Sequence, residues 1–73
     1  MNIRDDIIKA LRKKYEADIA EAIATANIYL EKPVGIGEHP DIIKEVDKLI
    51  EKIAEAEDKV KIINLRFDDD IPF

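Results

Sequence analysis

One regularity limits this chain more than any other. From residue 42 onward, apolar side chains recur at Ile42, Val46, Leu49, Ile53, Ala56, Val60, Ile63 and Phe67. The steps alternate four and three without a stutter, the heptad pattern of a helix that buries one seam against another helix. Ile43 and Ile50 widen that seam on one side. A stripe broader than a coiled-coil seam suits a helix with more than one neighbour. Glu45, Asp47, Lys48, Glu51, Lys52 and Glu55 fill the opposite, solvated face.

A second helical pattern precedes it, over about residues 3–31. Ile3, Ile7, Ile8, Leu11, Tyr15, Ile19, Ala22, Ile23, Ala26, Tyr29 and Leu30 recur at steps of three and four. Asn2 fits an N-cap, with Asp5 three residues on near the positive end of the helix dipole. The alanines between Ala17 and Ala26 favour helix and permit close approach of a neighbour. Between the patterns lies Lys32-Pro33-Val34-Gly35-Ile36-Gly37-Glu38-His39-Pro40. Pro33 disfavours helical geometry at Lys32. The two glycines turn cheaply, and Pro40 suits the first turn of the next helix.

The expected fold is therefore all-α. An antiparallel, coiled-coil-like two-helix hairpin occupies residues 1–66, with helices over about 3–31 and 40–65 and a loop over 32–39. A flexible acidic tail occupies residues 67–73. A chain of 73 residues buries little surface as a lone hairpin. The pattern predicts a homodimer, most simply a four-helix bundle joined through Ile42, Val46, Leu49, Ile53 and Val60.

Composition narrows function. The chain has no cysteine, serine or tryptophan, a single histidine, His39, and a single threonine, Thr25. That set is poor material for a catalytic centre, and the protein reads as a non-enzyme without cofactor or metal. Glu38, His39 and Asp41 could in principle hold a metal, but His39 adjoins Pro40 in a turn, where it reads as a cap of the second helix or a solvent-facing side chain. The pair Gly35 and Gly37 follows a helix and lacks a third glycine, so it makes no dinucleotide loop. No apolar run approaches the ~20 residues of a membrane span, and residues 1–6 do not look like a signal peptide. The chain reads as cytoplasmic.

The net charge is −5, and residues 33–58 carry the imbalance, with three basic against eight acidic groups. Residues 59–73 balance at three and three. Such a chain is not expected to coat nucleic acid. Arg12-Lys13-Lys14, with Arg4 and Lys9, form one basic cluster that reads as a solvated face. They leave a helical DNA-binding protein as one rival reading, and a structural or assembly protein as another.

The end of the chain differs in kind. Phe67-Asp68-Asp69-Asp70-Ile71-Pro72-Phe73 places three carboxylates where the helix dipole is already negative, and Pro72 biases Ile71 toward extended backbone. Phe73 then offers a ring and an α-carboxylate together, the features a C-terminus-capturing pocket takes. The aspartates suit a basic rim around such a pocket. These seven residues resemble the C-terminal tail of bacterial single-stranded DNA-binding proteins, which ends Asp-Phe-Asp-Asp-Asp-Ile-Pro-Phe in its enterobacterial form. Here Arg66 replaces the leading aspartate. The resemblance implies binding to the host proteins that take that tail: exonuclease I, RecQ-type helicases, the primosome restart helicase, RecO, primase and the replicase chi subunit.

The body resembles something else. Residues 27–42 and 53–59 are similar to short helical proteins of tailed phages, whereas no strand-rich oligonucleotide-binding barrel or aromatic stacking platform is visible. A phage protein carrying a copy of the host tail is one origin, and an engineered helical carrier joined to the tail is the other. The lack of a Gly/Ser linker favours the first, as does Phe67, which belongs to both the heptad and the tail.

Overall fold

A computed structural model describes residues 2–31 and 41–67. Among the described residues two helices make up the fold. Helix α1 spans Ile3–Glu31 and helix α2 spans Ile42–Arg66. They pack against each other as a hairpin. Their cross-contacts run in opposite directions along the two helices. Arg4 meets Phe67, Arg12 meets Asn64, Tyr15 meets Lys59 and Glu21 meets Lys52. The helices are therefore antiparallel. The loop expected over residues 32–39 lies outside the described residues.

The helix starts differ in how they are capped. At α1 the Asn2 side-chain oxygen accepts the Asp5 amide at 2.8 Å, and its carbonyl accepts the Asp6 amide at 3.2 Å. Those bonds satisfy amides that the first turn leaves open. Asp5 and Asp6 add negative charge at the positive end of the dipole. Helix α2 starts at Ile42, two residues later than the sequence suggests. Asp41 has φ −112° and ψ 48°, off the helical region, and its side chain makes no cap bond. At the other end Phe67 closes α2, donating its amide to the Ile63 carbonyl at 2.9 Å.

The core is thin and, Ile63 apart, made of alanine. Ala22, Ala26, Ala56 and Ile63 are buried, Ala22 to 1% exposure. Alanine at three of these places lets the helices approach closely, and larger neighbours fill the seam from either side. Ile8, Leu11, Tyr15, Ile19 and Tyr29 of α1 are half-buried. So are Ile42, Val46, Leu49, Ile53 and Val60 of α2. The heptad of α2 thus turns to α1 along its whole length. No side-chain polar atom is buried without a partner among the described residues. Thr25, inside α1, returns its hydroxyl to the Glu21 carbonyl at 2.9 Å. No described helix is long and apolar enough to cross a membrane.

Ile62 and Ile63 are adjacent, yet one is 42% exposed and the other 5%. Ile63→Ala is expected to lower unfolding free energy by about 2–4 kcal/mol, through lost transfer energy plus a cavity. Ile62→Ala is expected to cost less than about 1 kcal/mol. Urea titrations followed by helical circular dichroism compare the two, and equal losses are incompatible with this packing.

Candidate functional site

The candidate site is the open end of the hairpin, where α2 hands over to the tail. Of the seven tail residues, Phe67 is described. Asp68, Asp69, Asp70, Ile71, Pro72 and Phe73 lie outside the described residues, as do Glu38 and His39. Phe67 belongs to the body as much as to the tail. Its amide caps α2, its carbonyl accepts Arg4 Nη2 at 3.0 Å, and its ring lies against the seam, 46% exposed. Arg4 also pairs with Asp5 at 3.5 Å. One residue from the first turn of α1 therefore anchors the point where the tail begins.

The seam between the helices opens as a different groove on each flank. On the first flank, Glu16, Ile19, Glu57, Val60, Lys61, Asn64 and Leu65 line an open groove of about 620 Å³. Seven-residue steps from Glu16 and Glu57 toward the loop reach Ile23 and Leu30 on α1 and Ile50 and Ile43 on α2. These four are 43%, 63%, 57% and 85% exposed. They form a ladder of uncovered apolar side chains on the loop-ward half of this flank. The half-buried Val46, Ile53 and Val60 lie beside it.

The second flank is ionic toward the loop and apolar toward the open end. Lys14 pairs with Asp18, Lys48 with Glu45, Lys52 with Glu21 and Lys59 with Glu55, at 3.8, 3.6, 3.9 and 3.4 Å. All four pairs are exposed, and such pairs contribute little each. Nearer the open end, Ile8, Leu11, Tyr15, Lys59, Ile62, Ile63 and Phe67 line a groove of about 350 Å³. Lys14 and Lys59 lie 5.4 and 5.3 Å from the centre of the Tyr15 ring, within cation–π range. Two ammonium groups thus approach Tyr15 at one end of this groove, and Phe67 stands at the other.

The antiparallel fold also sorts charge. Residues 2–14 and 59–67 together form the open half. They carry Arg4, Lys9, Arg12, Lys13, Lys14, Lys59, Lys61 and Arg66 against Asp5 and Asp6, a net charge of +6. The other described residues, 15–31 and 41–58, carry Lys44, Lys48 and Lys52 against eleven carboxylates, a net charge of −8. The sequence tally for residues 59–73 conceals this arrangement. Its three basic groups sit on α2, while its three aspartates lie outside the described residues. Among the described residues, no three of His, Cys, Asp and Glu are grouped as metal ligands.

Comparison with known proteins adds no relative: no family model, no curated protein and no solved structure matches the chain.

Within the basic cluster, two neighbours have unlike surroundings. Arg12 is half-buried and donates from Nε to the Asn64 side-chain oxygen at 3.2 Å, bridging the helices. Lys13 is exposed. Arg12→Ala should destabilise the hairpin by about 1–2 kcal/mol, through the lost hydrogen bond and the packed stem. Lys13→Ala should change stability by less than about 0.5 kcal/mol. Thermal melts of both variants decide the point, and a neutral Arg12→Ala would remove the bridge from the account of the fold.

Proposed function

We propose that the protein is a non-enzymatic interaction module, phage-encoded, that presents a copy of the single-stranded DNA-binding-protein tail to host proteins. The observation that carries this reading is the uninterrupted run Phe67-Asp68-Asp69-Asp70-Ile71-Pro72-Phe73. The hairpin supports it physically. Arg4 and the α2 cap hold Phe67 at the open end of the hairpin, from which the following residues continue. The partners proposed are exonuclease I, the RecQ-type and primosome helicases, RecO and the replicase chi subunit, in the cytoplasm of a bacterial host. The effect on them is inhibition, by competition with the true tail, or recruitment.

The body is proposed to dimerise into a four-helix bundle through the first flank. Ile23, Leu30, Ile43 and Ile50 support this placement, because they expose contiguous apolar surface beside Val46, Ile53 and Val60. Exposed patches of this kind mark interaction surfaces. A dimer displays two tails, and a partner with two sites then gains from effective concentration. Ile43→Asn combined with Ile50→Asn should shift the protein to monomer in sedimentation equilibrium while leaving it helical. A monomeric unsubstituted protein at high concentration would discard the dimer and leave the tail reading intact.

For the tail, the chain is produced so that it ends at Phe73. Removing Phe73 deletes a ring whose burial is worth about 1.5–3 kcal/mol and displaces a charge-assisted contact worth about 1.5–3 kcal/mol. Affinity for purified exonuclease I should fall more than about a hundredfold by these terms. Asp69→Asn should cost less and act mainly on the association rate. Helicity should be unchanged, since both positions follow the last residue of α2. Equal affinity of the intact and shortened chains for every tail-binding enzyme tested would refute the proposed function.

A further inference from the structure

The second-flank groove lies where the tail begins, and its chemistry matches the tail's. We infer that this groove is a docking site for residues 68–73 of the same chain, so that the hairpin shields its own tail until a partner competes for it. The inference builds on the reading of residues 67–73 as the functional element, but its first test needs no partner.

Complementarity is the main argument. The tail supplies three carboxylates followed by Ile71, Pro72 and Phe73. The groove supplies apolar walls from Ile8, Leu11, Ile62 and Ile63, with the Tyr15 ring at its far end. Lys14 and Lys59 flank that ring. The half of the hairpin that contains the groove carries a net +6. Both lysines hold carboxylate partners now, Asp18 at 3.8 Å and Glu55 at 3.4 Å, with exposed side chains. Pairs of that kind exchange at little cost. An aspartate or the terminal carboxylate of the tail can therefore take either lysine.

Reach is the second argument. Phe67 lines the groove, so the tail starts inside the site and not at a distance. Six residues extend to about 20 Å at most. The groove runs from Phe67 back to Lys59, about 12 Å along α2 by helical rise. Phe67 has φ −126° and ψ −2°, which takes the chain off the helical path where it must reverse. Tethering also lowers the affinity required. A short linker gives effective concentrations on the order of millimolar. A contact too weak to hold a free peptide at micromolar concentration is then occupied much of the time. A free oligonucleotide or a second copy's tail lacks that advantage.

The test compares amide spectra of ¹⁵N-labelled 73-residue protein with those of the same protein ending at Phe67. The inference requires shift differences at Ile8, Leu11, Tyr15, Lys59 and Ile62, and none at Ile23 or Ile50. The differences must not depend on protein concentration, since the docking is within one chain. They must shrink at about 1 M salt, where the screening length falls to about 3 Å. Lys14→Glu with Lys59→Glu, both on exposed positions, should abolish them without loss of helicity. The same variant should bind a tail-binding enzyme about two- to tenfold more tightly, as the competent fraction rises. Identical spectra for the two lengths overturn the inference, and so do differences that grow with concentration, which assign the groove to a neighbour's tail. Larger shifts of the same residues on adding a single-stranded oligonucleotide than the tail itself produces overturn it in favour of nucleic acid. If no enzyme binds but the groove shifts are present, the proposed function fails and the docking stands. If enzymes bind and the shifts are absent, the reverse holds.

Discussion

Close approach of two antiparallel helices is the constraint on which everything else in this structure rests. It is possible because Ala22 and Ala26 on α1 and Ala56 on α2 occupy the seam, where longer side chains would hold the axes apart. Small residues contribute little apolar area themselves. What they allow is contact between the larger residues beside them, Tyr15, Ile19, Leu49, Ile53 and Ile63 among them. The same geometry leaves all of those neighbours except Ile63 half-buried instead of enclosed. A two-helix body therefore pays for its thin seam with apolar surface on both flanks, and that surface is where binding becomes possible.

The two flanks resolve that surplus in different ways. The second flank covers its loop-ward half with ion pairs and keeps apolar surface at the open end, next to the start of the tail. The first flank exposes Ile23, Leu30, Ile43 and Ile50 without such cover. Solvated ion pairs contribute little to stability, yet they decide which side of a helix tolerates water. The asymmetry gives the hairpin two unlike faces, one suited to another hairpin and one suited to an acidic peptide. Both proposals rest on side-chain chemistry, and they do not compete for the same residues.

Much of the fold is legible in the sequence. The heptad from Ile42 to Phe67 defines α2 and its inward face, and Asn2 places the start of α1, because caps and periodicity are local properties. Helix α1 is less legible. Its apolar residues extend around the helix, and position alone does not separate the half-buried Ile19 from the exposed Ile23 and Ile28. The candidate site divides in the same way. The seven-residue tail is visible as a motif, while the contact of Arg4 with Phe67 joins residues from opposite ends of the chain, and nothing local announces it.

The sequence by itself determined two helices, the inward face of α2 and the chemistry of the tail. Each of these rests on interactions within a few turns of helix or on covalent order. Tertiary structure alone decided which charges and which apolar residues became neighbours. Folding back brings Lys59, Lys61 and Arg66 beside Arg4, Lys9, Arg12, Lys13 and Lys14, and so turns an acidic chain into a rod with a basic end. It sets Tyr15 against Lys59 and builds a groove from residues about fifty positions apart. Linear tallies of charge and hydropathy average over such pairs, because antiparallel packing couples residues by their distance from the turn and not by their distance along the chain.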